Sequence, residues 1–234
     1  MKTIPFHLVH IKGMSIFSQL QLEEALLRQD TRNFCLINQG SSPAIVMGIS
    51  GKTEELVDLS KARSLGIPII KRFSGGGTVV VDEETLFITF ICQKDSHPFP
   101  AYPEPILKWA AGLYAQAFPL ISLKENDYVI GTKKCGGNAQ YIKKDRWLHH
   151  TSFLWNFKPS YMELLLYPKK TPLYRNKRSH EEFLTPLSHH SPDKEQWIDS
   201  FKKTLKLIYP VSEISLGSLQ PLLTTPHRQT TILV

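Results

Sequence analysis

Residues 15–29, SIFSQLQLEEALLRQ, set Phe17, Leu20, Glu24 and Leu27 on one helical line with Leu22, Ala25 and Leu26 beside it. That spacing predicts an amphipathic helix, with Ser18 and Gln21 as its capping box. Two apolar runs follow, NFCLINQ and AIVMGIS, and the turn-forming GSSP between them makes neighbouring strands the expectation. Thr53 is the expected cap of a helix over EELVDLSKARSLG that ends at Gly66. The pattern then becomes strand-like in IPIIKRFS, TVVVD and LFITFICQ, with three consecutive glycines linking the first two. PEPILKWAAGLYAQAF reads as a helix beginning near Pro105, with Ile106, Trp109, Leu113 and Ala117 on one face. Residues 126–156 predict two or three short strands, and helical segments return at SYMELLLY and DKEQWIDSFKKTLKLIY. LSHHSPDKE is expected to be an exposed loop, and the tail from Val211 has no clean period.

This order of elements predicts an α+β fold with a largely antiparallel central β-sheet and packed helices, because the strand runs lie too close together for βαβ crossovers throughout. One main domain over residues 1–210 is expected, with 211–234 an unassigned C-terminal tail. The longest apolar runs are too short to span a bilayer, and MKTIPFHLVHIKG lacks a signal-peptide pattern, so a cytoplasmic protein is the default expectation.

Charge changes the picture modestly. Lys and Arg number 28 against 21 Asp and Glu, a net charge of +7, which favours an anionic partner such as a nucleotide, a nucleic acid or an acidic protein surface. Cys35, Cys92 and Cys135 form no C-x-x-C pair, so reduced thiols are expected rather than a disulfide framework or a thiolate zinc site. GISGKTEE ends like a phosphate loop, but Val46 stands where such a loop needs its first glycine, and a turn before a helix is the better reading.

KRFSGGGTVVVD is more informative. Consecutive glycines let backbone N–H groups converge on an anion, and Lys71 and Arg72 offer countercharge, Arg72 as a planar fork. A plain glycine turn with solvated cations accounts for it equally well on glycines alone. A second cluster, ENDYVIGTKKCGGNAQ, adds Asn126 and Asp127 ahead of Lys133 and Lys134 and a further glycine pair. Asp127 suits a hydrated Mg²⁺ or a nucleotide hydroxyl, and a lysine suits charge developing on a phosphate or carboxyl oxygen. His149 and His150 are neighbours on a predicted strand and diverge, which argues against a metal site; YRNKRSHEEFL, residues 174–184, reads as a nucleotide- or partner-facing loop or, more simply, a solvated charged face.

Together these stretches resemble lipoate-protein ligases. KRFSGGGTVVVDEETLFITF is similar to that family's first signature and NDYVIGTKKCGGNAQ to its second, while LEEALL, PAIVMG and WLHHTSFLWN fall in family order, so the resemblance runs over roughly residues 15–185. It implies the class II biotin/lipoate ligase-like fold and a reaction in which ATP, with Mg²⁺, activates lipoate to lipoyl-AMP before the lipoyl group passes to a lysine of an acceptor lipoyl domain. By the same resemblance Lys134 is the catalytic lysine. Arg72, Ser74, Gly75, Gly76, Gly77, Asn126, Asp127, Gly137, Asn138 and Ala139 bind lipoate or adenylate, with Asp127 toward Mg²⁺. The implied partners are lipoyl domains of 2-oxoacid dehydrogenase complexes or the glycine cleavage H protein; with a tail too short for a full accessory domain, the expectation is either a short ligase that works with a separate accessory subunit or an incomplete ligase, and nucleic acid is disfavoured. Departures from the family pattern are Lys71 for a first Arg, Val81 for His, Glu84-Thr85 for Gly-Asn, and HHTS for His-Gly. Alternatives are a transferase working through a cysteine thioester, biotin ligation, and a non-catalytic protein that binds nucleic acid or an acidic partner.

Overall fold

The computed structural model of the protein describes residues 4–168 and 171–234. Its strands, in chain order, are β1 (Phe6–Lys12), β2 (Phe34–Gln39), β3 (Ala44–Met47), β4 (Ile69–Lys71), β5 (Val79–Val81), β6 (Thr85–Gln93), β7 (Ile121–Lys124), β8 (Asp127–Ile130), β9 (Lys133–Ile142), β10 (Arg146–Leu154), β11 (Val211–Glu213) and β12 (Ile232–Leu233). The helices are α1 (Ile16–Gln29), α2 (Thr53–Leu56), α3 (Leu59–Ser64), α4 (Pro103–Ala117), α5 (Pro159–Met162), α6 (His180–Phe183), α7 (Lys194–Ile208) and α8 (Gln220–Thr224).

Eight strands form one sheet in the order β11-β1-β2-β6-β10-β9-β8-β7, and four form a second in the order β12-β4-β3-β5. Within them β11/β1, β1/β2 and β3/β4 are parallel and the other pairs antiparallel, so the largely antiparallel α+β expectation holds.

Alternation along the strands sorts three layers of core. In β6, Leu86, Ile88, Phe90 and Cys92 face α4 and α7, while Phe87 and Ile91 face α1 and the small sheet. Because both faces are covered, β6 reads as a nearly unbroken apolar run rather than an alternating one. In the small sheet, Val46, Ile70 and Val81 pack toward α1, and Ile45, Ile69 and Val80 pack outward against Val57, Ala62, Met162 and Phe183. The small sheet is therefore wedged between the large sheet and α3, α5 and α6, and its β4–β5 connection is the glycine loop.

Several local expectations are corrected. Ser15, not Ser18, caps α1, its side chain accepting from the Ser18 N–H. The segment after Thr53 is two short helices, because Asp58 caps α3 through the Lys61 N–H. Helix α4 starts at Pro103, which fits the first turn where no N–H is needed. Strands β2 and β3 do not pair with each other; they lie in different sheets. Residues 126–156 hold three strands, β8, β9 and β10, as expected, with β7 added ahead of them, whereas SYMELLLY gives only the single turn α5. From Val211 the chain adds β11 beside β1 and β12 beside β4, while Thr230 and Thr231 donate to the buried Glu24 carboxylate of α1.

Candidate functional site

Lys71 ends β4, and the chain turns through residues 72–78 to reach β5. Arg72 is 5% exposed and burial lowers its pKa to about 10, so it stays cationic at neutral pH. Its Nη2 donates to the Gly75 and Gly77 carbonyls at 2.8 and 2.9 Å, and Nε donates to Gly75 at 3.3 Å. The fork expected to face a ligand is turned on the loop's own carbonyls, which crowd together because the loop curls so tightly. Gly76 takes φ +109°, a conformation L side chains rarely adopt, and a Cβ there would lie 2.6 Å from Arg72 Nη2. Directly after β3, Gly48 presses on the loop: a Cβ at Gly48 would strike the Gly76 carbonyl oxygen and lie 3.1 Å from its nitrogen. Ser74 is buried behind the loop, with its carbonyl accepting the Ile49 N–H at 3.0 Å.

The other half of the site comes from β8 and β9. Lys134 Nζ pairs with Asp127 Oδ1 at 2.7 Å, and the Tyr174 hydroxyl donates to Asp127 Oδ2 at 2.9 Å, so both carboxylate oxygens have partners. Asn138 Nδ2 donates to the Asn126 carbonyl at 2.6 Å, tying the two motif segments together. The segment carrying Tyr174 closes over β9: Tyr174 N–H donates to Glu125 Oε1, and Thr185 N–H donates to the Lys134 carbonyl.

Two cavities meet here. The first, about 330 Å³, is walled by Leu154, Met162, Leu165, Phe183 and Leu184, with Arg175 and His180 among its polar lining. The second, about 320 Å³, runs past Ile16, Leu20, Val46 and Phe87 to His150. Gly77, Thr78, Asp127, Lys134 and Gly137 line both, which puts Lys134 at the junction. Both volumes lie in the range of small-molecule pockets. Of the residues singled out from sequence, Arg72, Gly76, Gly77, Asn126, Asp127, Lys134, Gly137, Asn138 and Ala139 line one or both cavities, and Ser74 and Gly75 line neither. Gly48, Thr78, Tyr174, Arg175 and the Glu23–His150 pair were not singled out as site residues. The Thr78 hydroxyl, in the wall of both cavities, is buried without a hydrogen-bond partner.

The histidines and thiols have other surroundings. His150 Nδ1 lies 2.9 Å from Glu23 Oε1, which also accepts from Thr89 and Gln19. On the opposite face of β10, His149 contacts the Tyr128 hydroxyl at 2.7 Å, and burial pulls its pKa down to about 3, leaving it neutral. No group of three His, Cys, Asp or Glu among the described residues could hold a metal ion. All three cysteines are buried, and burial pushes the Cys135 thiol up to about 12, the reverse of what a thiolate nucleophile needs.

Over residues 15–207 the sequence matches the model of the lipoyl protein ligase A/B catalytic domain. The chain belongs to that family. Among its relatives, the inactive lipoate–protein ligase 2 of Plasmodium falciparum is 28% identical over 76% of this chain, and the lipoate-protein ligase LplJ of Bacillus subtilis is 28% identical over 58% of it. Those matches span 62% and 42% of the two relatives' own lengths. The ligase fold is also seen in a bi-partite lipoate protein ligase from Thermoplasma acidophilum, at TM-score 0.78 and 16% identity, covering 94% of this chain and 91% of that one.

Proposed function

We propose that the chain joins a lipoate-type carboxylic acid, held in the second cavity, to ATP, held in the first, as an acyl-adenylate beside Lys134, and passes the acyl group to a lysine of a lipoyl domain. The observation that carries this reading is the junction: two cavities of similar size meet at one lysine above a glycine loop. A two-substrate condensation needs such a place, because holding both reactants in line replaces a bimolecular encounter.

In the first step a carboxylate oxygen attacks the α-phosphorus, the bond to the bridging oxygen of the β-phosphate breaks, and pyrophosphate leaves with the electron pair. In the second, the neutral amine of the acceptor lysine attacks the acyl carbonyl, the carbon–oxygen bond to AMP breaks, and the nitrogen sheds a proton. Lys134 Nζ is the point charge for the α-phosphate and acyl carbonyl oxygens in both steps, a role worth about 100- to 1000-fold in rate. Arg72 keeps the loop curled so that the N–H groups of Gly76 and Gly77 face the phosphate. The apolar wall of Ile16, Leu20 and Phe87 takes the aliphatic chain.

Magnesium enters this reading as MgATP. A single carboxylate with nucleotide phosphates is the usual protein share of a Mg²⁺ site, and Asp127 fits it once Tyr174 yields its oxygen. Bound there, the ion would neutralise phosphate charge. The net charge of +7 suits an acidic acceptor domain and ATP alike. A second reading, in which the site binds ligand without turning over, draws on the relative named inactive and on the engaged state of Asp127.

The test is single-turnover incubation with lipoate and MgATP, following pyrophosphate and lipoyl-AMP. Stoichiometric release of both supports adenylation; lipoate and ATP bound without pyrophosphate release supports the second reading.

A further inference from the structure

Arginines around the first cavity have different occupations. Arg72 is committed to the glycine loop, and Arg178 directs Nη2 to the Thr132 and Tyr174 carbonyls at 2.9 and 2.8 Å and Nε to the Arg175 carbonyl at 3.0 Å. Arg175 is 4% exposed, yet its Nη2 is buried with no hydrogen-bond partner. Its Nε donates to the Arg178 carbonyl at 3.0 Å, and its guanidinium carbon lies 4.6 Å from the Tyr167 ring centroid and 5.1 Å from that of Phe183. Those contacts fix the guanidinium, and Arg175 lines the cavity that also holds His180 and Lys134. No carboxylate among the described residues forms an ion pair with Arg175.

A buried cationic N–H without an acceptor is costly unless a ligand supplies one. We infer that Arg175 is a phosphate-binding residue, its Nη2 edge taking an oxygen of the nucleotide's polyphosphate in the first cavity. The inference rests on the reading that this cavity holds ATP. Charge selects phosphate over the other parts of the substrates: adenine and ribose are neutral, and the acid's carboxylate approaches from the second cavity, beyond Lys134. The ring contacts also leave Arg175 less free to stack on a base, whereas an N–H edge matches a phosphate oxygen. Arg178, on the same loop, then holds the loop's shape while Arg175 holds the ligand.

The test measures dissociation constants of ATP, adenosine and lipoate by calorimetry for the full chain, Arg175→Met and Arg175→Lys. Loss of one charge-assisted bond predicts ATP weakened roughly 10- to 100-fold in Arg175→Met, with adenosine and lipoate within about twofold. Arg175→Lys, which keeps the charge without the fork, should fall between and carries the test if the Met variant does not fold. Unchanged ATP affinity in the folded variants, or an equal loss for adenosine, would overturn the inference while leaving the adenylation reading intact. No ATP binding by the unaltered chain would overturn both.

Discussion

Gly48→Ala is the most direct test of how the glycine loop is held. The added Cβ would fall on the Gly76 carbonyl oxygen and within 3.1 and 3.2 Å of Gly76 N and Gly75 C, all backbone atoms that cannot swing aside as a side-chain tip can. Restoring contact distance requires the loop or the end of β3 to move by about 1 Å. Overpacking of this kind costs about 1–3 kcal/mol, which in a chain of 234 residues lowers Tm by roughly 2–12 °C. The catalytic effect should exceed the stability effect, since a 1 Å misplacement of a positioned group costs about 100-fold in rate. Thermal melts and the adenylation assay, run on the same preparation, measure both. A variant with Tm within 1 °C of the parent and activity within about twofold would refute the claim that Gly48 sets the loop's position.

Other expectations follow from the same geometry. Lys134→Met should reduce adenylation and transfer about 100- to 1000-fold while lipoate binding persists, read by steady-state rates beside a binding titration. Tyr174→Phe removes a donor to a carboxylate, and the local loss of about 1.5–3 kcal/mol should appear as faster amide hydrogen exchange over residues 172–185 with the global Tm nearly unchanged. His97 is buried among Phe99, Trp109 and Trp147 with neither ring nitrogen bonded, and burial lowers its pKa to about 4. Since the unfolded chain binds its proton near pH 6.5, the contribution of His97 to stability is lost as pH falls below that value, reaching about 3 kcal/mol by pH 4. His97→Phe should therefore lessen the loss of stability between pH 6.5 and 4 by about 3 kcal/mol, leaving the slope that the buried His149 contributes over the same range, measured by denaturant titration at each pH.

Long periodic segments were legible in the sequence: α1, α4 and α7 lie where their apolar spacing put them, and both glycine-rich motifs converge on one site. What escaped was set by distant contacts. Strand β1 carries polar residues in its run and becomes a strand because β2 and β11 pair on its two sides. Strands β2 and β3 look like a local hairpin, yet the turn between them carries the chain from one sheet to the other. Arg72 read as a ligand-facing fork because a sequence cannot say which carbonyls a curled loop will aim at it. Arg175 shares a short segment with the cations Lys177 and Arg178 that suggests a solvated face, and although Arg178 also lies over Phe183, only Arg175 has the Tyr167 contact and an unpartnered Nη2. Gly48 gave no signal beyond the end of an apolar strand.

The central claim is that the two cavities meeting at Lys134 serve one condensation and one transfer. Its most direct test is the intact mass of a purified lipoyl domain after incubation with the chain, lipoate and MgATP, alongside Lys134→Met and a reaction without ATP. The account predicts one lipoyl group added to the domain only when ATP and Lys134 are both present. A gain that persists without ATP or without Lys134, or no gain although lipoyl-AMP forms and the domain binds, would contradict it.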